Sequence, residues 1–227
     1  MPYVLLLIII LVVVFGPQLW ARHTFERYNQ AQDKIPGTGG ELAAHLIKRF
    51  ELPVTVERAG QEGDHYDPTT RTVRLSPQFF DTNSLSAVAV AAHEVGHAIQ
   101  HHRNETMLDT RTKLARLALY AQKFGTIAIF AMPVVTAITR APASGFLMTA
   151  IFVLSMGMAV LVNLVTLPVE LDASFGKALP ILIEGRYVDE EDLPAVRKIL
   201  KAAAYTYVAA SLASLLNLWR WIAILRR

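Results

Sequence analysis

The apolar residues of this chain fall into four blocks, residues 3–20, 124–139, 146–167 and 202–225, set apart by polar stretches. A helix needs about 20 such residues to cross the roughly 30 Å hydrocarbon layer of a bilayer, and each block approaches or exceeds that length, the second by extension back to Leu117. The chain is 53% hydrophobic and only 18% charged, with a mean hydropathy of +0.34. Concentration into blocks makes this a sign of membrane spans rather than of an oversized core. The expected fold is therefore a mainly α membrane protein with about four transmembrane helices.

Met1-Pro2-Tyr3 has no positive charge, whereas Arg22 and Arg27 follow the first block. Residues 1–20 thus read as an uncleaved transmembrane anchor with its N-terminus outside and Arg22 in the cytoplasm. Residues 21–123 form the main polar domain. Residues 124–167 form a transmembrane hairpin turning at 140–145, which brings residues 168–201 back to the cytoplasmic side. Residues 202–227 form a last helix, either spanning or interfacial, with Trp219 and Trp221 flanking Arg220 in an interfacial composition. The terminal Arg226-Arg227 pair fits an outside end poorly. These features read as a multi-pass membrane protein, with the lipid bilayer as its constant partner.

The chain has no cysteine, which excludes disulfides, thiolate metal sites and a cysteine nucleophile. Any metal must sit on His, Asp or Glu. A net charge of +3 without a basic run gives no sign of a nucleic-acid partner.

Within the polar domain, a loop at 37–40 precedes an amphipathic helix at 41–50 with Leu42, Leu46 and Ile47 on one face. Residues 54–56 and 65–67, with Val73 and Leu75 two apart after the turn Asp67-Pro68-Thr69-Thr70, predict a small antiparallel sheet. Ser84 is placed to cap a helix running to about His102.

That helix carries His93-Glu94-Val95-Gly96-His97. Residues four apart share a helix face, so both imidazoles point at one metal ion. Glu94 lies beside that face, within reach of a water on the metal. This is the zincin-like pattern for metal-assisted peptide hydrolysis, which makes Glu94 the candidate catalytic base and Zn²⁺ the expected cofactor. The neighbours Val90, Ala91, Ala92, Ala98 and Ile99 are apolar, and a buried His-Glu-His group is costly unless it binds metal.

Two ligands are too few for a catalytic zinc, which takes three plus water. Two apolar blocks separate His97 from residues 168–174, so an out-and-back hairpin returns that segment to the motif's side of the membrane. Glu170 and Asp172 are both candidates for the third ligand.

Asp64-His65-Tyr66-Asp67-Pro68, residues 91–100 (AAHEVGHAIQ), residues 167–174 (LPVELDAS) and residues 202–210 (AAAYTYVAA) together resemble the bacterial family of membrane neutral zinc metallopeptidases (YugP-like), distant relatives of HtpX-type and prenyl-protein endopeptidases. The resemblance implies a membrane-bound endopeptidase acting on a peptide or membrane-protein substrate. It also implies zinc on His93, His97 and Glu170, Glu94 as base, and Asp172 orienting a ligand from behind. Arginines that often follow the DAS element in that family are replaced here by Phe175-Gly176-Lys177. Lys177, His65 and Tyr66 are then candidates for contacting substrate or its oxyanion.

Two other readings remain open. Asn163 to Pro168 followed by Leu171-Asp172-Ala173 is similar to the Asn-Pro and Leu-Asp-Gly element of site-2-type intramembrane proteases, with Asp172 as ligand. A zinc-binding membrane scaffold without catalysis is the other, although Glu94 would then have no use. Nothing in the sequence bears on oligomeric state.

Overall fold

The computed structural model describes the backbone of residues 2–225, and side chains for all of these except 2–10, 13, 14, 207–211 and 220–225. The expectations resting on the side chains of Arg220 and Trp221 and on the Arg226-Arg227 pair fall outside what is described.

The molecule is organised around one buried helix, α4 (Leu85–His102), whose residues are buried without a break from Leu85 to Gln100. Its run of Ala, Val and Gly leaves little side-chain bulk on any face, so other elements pack close on several sides. Ser84 caps it as the sequence predicts, its hydroxyl oxygen accepting from Ala87 N at 3.1 Å. Against α4 lies α2 (Gly39–Arg49), begun by a capping box in which Thr38 and Glu41 satisfy each other's backbone N–H groups. Ala43, Leu46 and Ile47 of α2 are buried, and Leu42 is half-buried.

Strands β1 (Thr55–Arg58), β2 (His65–Asp67) and β3 (Thr72–Leu75) form one sheet in the order β1-β3-β2. The expected antiparallel sheet is in fact mixed, because β1 pairs with β3 in parallel while β2 pairs with β3 antiparallel. Burial explains the order. Thr72, Val73 and Leu75 are buried, whereas β1 is mostly exposed, so the apolar strand takes the centre and the chain crosses to the far edge before returning.

Asp67 closes the β2–β3 turn, accepting from Thr69 N and Thr70 Oγ1, both at 2.8 Å. Partial burial pushes its carboxyl up, but these donors and Arg74 outweigh it and pull it down to about 2. The stability it contributes is therefore whole above the ordinary carboxylate range and lost as pH falls towards 2. Asp67→Ala should lower stability by about 1 kcal/mol at pH 7. Thermal melts of the two proteins should converge as the pH approaches 2.

After α3 (Pro77–Phe80) and α4 come α5 (Thr106–Thr139) and α6 (Pro142–Leu171), followed by a π-helical segment (Asp172–Ala178), α7 (Leu179–Glu184) and α8 (Leu193–Leu225). Helix α1 (Pro2–Arg27) packs along α8, and α6 lies between α5 and α8. Thr106–Thr139 and the continuous run Pro142–Glu184 are long and apolar enough to cross a membrane. In α5 the buried residues are only Leu108 and Gly125, and Phe130, Ile138 and Phe146 around the hairpin are 79%, 77% and 83% exposed. Apolar helices that bury so little of themselves suit a lipid environment and not a soluble core. The first and last apolar blocks are also helical, within α1 and α8.

Candidate metal centre

One turn of α4 separates His93 and His97, whose ring centroids are 4.8 Å apart. Glu170, from the last turn of α6, faces both: its Oε2 is 3.1 Å from His93 Nε2 and 3.2 Å from His97 Nε2. All three residues are buried, and their ligand atoms converge as a group that can hold a metal ion. Glu170 Oε1 is also buried and has no hydrogen-bond partner among the described residues.

The surrounding hydrogen bonds give the protons a direction. Gln100 Nε2 donates to two acceptors, Val169 O at 3.0 Å and Asp172 Oδ2 at 2.8 Å. Its Oε1 must then face His97 Nδ1, at 2.9 Å, and that ring nitrogen donates. Ser174 Oγ is 3.0 Å from His93 Nδ1 and 3.3 Å from Leu200 O. The hydroxyl has one proton, which the Leu200 carbonyl takes, so His93 Nδ1 donates to Ser174. Neutral imidazoles protonated at Nδ1 present Nε2 lone pairs, and here two of them meet a carboxylate oxygen at one buried point. Such a point suits a cation. Two His and one Glu, with outer partners fixing both tautomers, is a donor set matched to zinc. Without an ion, burial pushes the His97 imidazolium down while the charge and hydrogen bond of Glu170 push it up, and the upward effects win.

Glu170 reaches α4 because the backbones come close at Gly96. A Cβ at Gly96 would lie 2.8 Å from Ala173 O and 3.4 Å from Lys177 Cβ. The segment facing it is π-helical, and that wider turn directs Ser174 to His93 and Asp172 to Gln100 from successive positions after Glu170. Gly96→Ala should push the two segments apart by a few tenths of an ångström. The expected cost is about 1–3 kcal/mol of stability, with zinc affinity weakened, as thermal melts and metal titration would show.

Glu94 is buried beside these three residues. Burial pushes its carboxyl above the ordinary range, against the opposing pull of His93 and His97. A carboxylate raised towards neutrality suits a general base. A cavity of about 60 Å³ adjoins His93, Glu94, His97 and Glu170. Of the predicted substrate contacts, His65 and Tyr66 line it. Tyr66 is further held by a 2.7 Å hydrogen bond between its OH and His101 Nδ1. Lys177 is not part of the lining; it is tied to Asp172 at 2.7 Å and Glu105 at 3.0 Å. Asp172 accepts from Gln100 and Lys177 and is absent from the converging ligand atoms.

Several participants were not singled out from sequence. Gln100 follows His97 by three positions and Ser174 follows Glu170 by four, so helical spacing alone would have nominated both. Asp64, whose carboxyl burial pushes up against two Ser76 hydrogen bonds, lines the cavity from just before β2. Arg111 lines it from α5, and no local pattern pointed to it.

Fold and site together define a class: a helical chain with membrane-type helices and a buried centre of two histidines and one glutamate. The chain belongs to the family described as "Putative neutral zinc metallopeptidase", which matches residues 3–226. It is 33% identical over 232 residues to the "Putative membrane protease YugP" of Bacillus subtilis (strain 168), an alignment covering 97% of this chain and 96% of that protein. No solved structure matches the chain.

Proposed function

We propose that the chain is a membrane-bound, zinc-dependent endopeptidase with His93, His97 and Glu170 as ligands and Glu94 as catalytic base. The observation that carries this reading is the meeting of two Nε2 lone pairs and the Glu170 carboxylate at one buried point beside Glu94. A zinc ion held by His93, His97 and Glu170 would supply Lewis acidity towards a peptide carbonyl and would lower the pKa of a water towards about 7. Glu94 takes the proton of the attacking water and passes it to the leaving amine. Ser174 and Gln100 hold the imidazoles in the ligating tautomer throughout.

An extended peptide is aligned by the free edge of β2, whose residues His65 and Tyr66 border the cavity. Proline at His65 or at Tyr66 removes an N–H from the β3 side in one case and from the free edge in the other. The free-edge variant should cleave poorly while folding normally. Unchanged cleavage in both would remove this role.

The first and last helices are read as spans beside the α5–α6 hairpin, with the metal centre at the cytoplasmic surface of the bacterial inner membrane. Since the chain has no cysteine, single cysteines report sidedness cleanly. Arg103→Cys and Glu184→Cys should label from one side and Ala143→Cys from the other. Labelling of positions 103 and 184 from opposite sides would contradict the topology. The proteolytic reading itself is tested with purified protein and an unfolded substrate such as casein: chelation should stop cleavage and zinc restore it. Stoichiometric zinc without turnover would favour the scaffold alternative.

A further inference from the structure

Arg111 lines the cavity that also borders His93, Glu94, His97 and Glu170, reaching it from the first part of α5. Its Nε is buried and has no hydrogen-bond partner, and the guanidinium forms no ion pair among the described residues. Arginine stays charged at any physiological pH and carries five N–H donors. A charged group partly withdrawn from water with donors unused is costly, and it marks a place where an anion is expected. The acids that share the cavity do not serve as that anion. Asp64 is engaged by Ser76, Glu170 faces the histidines, and neither they nor Glu94 lies within ion-pair distance of Arg111. The cavity is only about 60 Å³, so Arg111 and Glu94 border the same small space.

We infer that Arg111 hydrogen-bonds the peptide oxygen that becomes negative during hydrolysis, an inference that rests on the proteolytic reading above. In that step the water oxygen bonds to the carbonyl carbon and the C=O π pair moves onto the carbonyl oxygen, while Glu94 takes a water proton. The pair then returns to re-form C=O, the C–N bond breaks, and the proton leaves with the amine. Charge on the oxygen exists only between these events, so an unpaired arginine stabilises the transition state more than the neutral substrate. Arg111 therefore fills the role for which Lys177, held by two carboxylates, is not free.

The test uses full-length protein loaded with Co²⁺, whose visible spectrum reports both metal occupancy and ligand binding. A phosphoramidate peptide mimics the charged tetrahedral centre, and imidazole serves as a neutral metal-binding control. Arg111→Ala should keep one Co²⁺ per chain and unchanged imidazole binding, yet bind the phosphoramidate about a hundredfold more weakly. With casein, its kcat should fall by a similar factor at nearly constant KM, and Arg111→Lys should recover part of both. Equal phosphoramidate affinity in wild type and Arg111→Ala would overturn the inference, as would loss of Co²⁺ from Arg111→Ala. A defect seen with free-acid peptides but not with their C-terminal amides would instead assign Arg111 to a substrate carboxylate. Failure of the wild-type protein to bind Co²⁺ or cleave casein would sink the proteolytic reading, a result distinct from all of these.

Discussion

Glu94→Gln is expected to lower peptide hydrolysis by about a thousandfold or more while leaving the zinc content at one ion per chain. The substitution preserves shape while removing the negative charge and the ability to take a proton. Glu94 is buried next to His93, His97 and Glu170 but outside the group whose atoms converge, and burial raises its carboxyl. On the proposed mechanism, a protein lacking that base would keep its metal and its fold but lose the group that activates water. Cleavage of casein and zinc content measured on the same sample separate the two properties. Hydrolysis by Glu94→Gln at the wild-type rate would remove Glu94 from the mechanism.

Glu170→Ala is expected to weaken zinc binding by well over a hundredfold, and Asp172→Ala by about ten- to a hundredfold. The difference follows from what each carboxylate touches. Glu170 Oε2 meets both Nε2 atoms, at 3.1 and 3.2 Å, and its Oε1 is buried with no other partner. Asp172 accepts from Gln100 Nε2 at 2.8 Å and Lys177 Nζ at 2.7 Å, so it would act on a metal only through Gln100 and His97. A metal bound only by the folded state also raises the melting temperature. Zinc should therefore stabilise the wild type and the Asp172 variant but not Glu170→Ala. Loss of zinc in the Asp172 variant alone would revive the site-2-type ligand assignment.

What the sequence made legible was local or periodic. Ser84 as a cap, the helix end near His102 and the one-turn spacing of the histidines all follow from short-range rules, and the structure has them. Counting apolar blocks is insensitive to detail, and it returns residues 168–174 to the side of the histidines, where Glu170 meets both. Choosing between Glu170 and Asp172 was harder. Two residues apart, they differ only in which face of the chain meets α4, and the π-helical turn that sets that face has no sequence signature. Strand order was illegible for a similar reason: strands of three or four residues carry too little pattern to specify a partner or a direction. Arg111 joins the cavity only through tertiary contact between α5 and the motif helix, and no spacing rule links residue 111 to residue 94.

Zinc K-edge X-ray absorption on the purified full-length protein tests the central claim most directly. The account predicts one zinc per chain with nitrogen and oxygen donors at about 2.0–2.2 Å, outer scattering from two imidazoles, and no sulfur shell. Loss of that imidazole pattern in His93→Ala and His97→Ala should accompany loss of the metal. A wild-type protein purified with zinc available yet binding none, or a bound zinc whose spectrum lacks imidazole scattering, would contradict it.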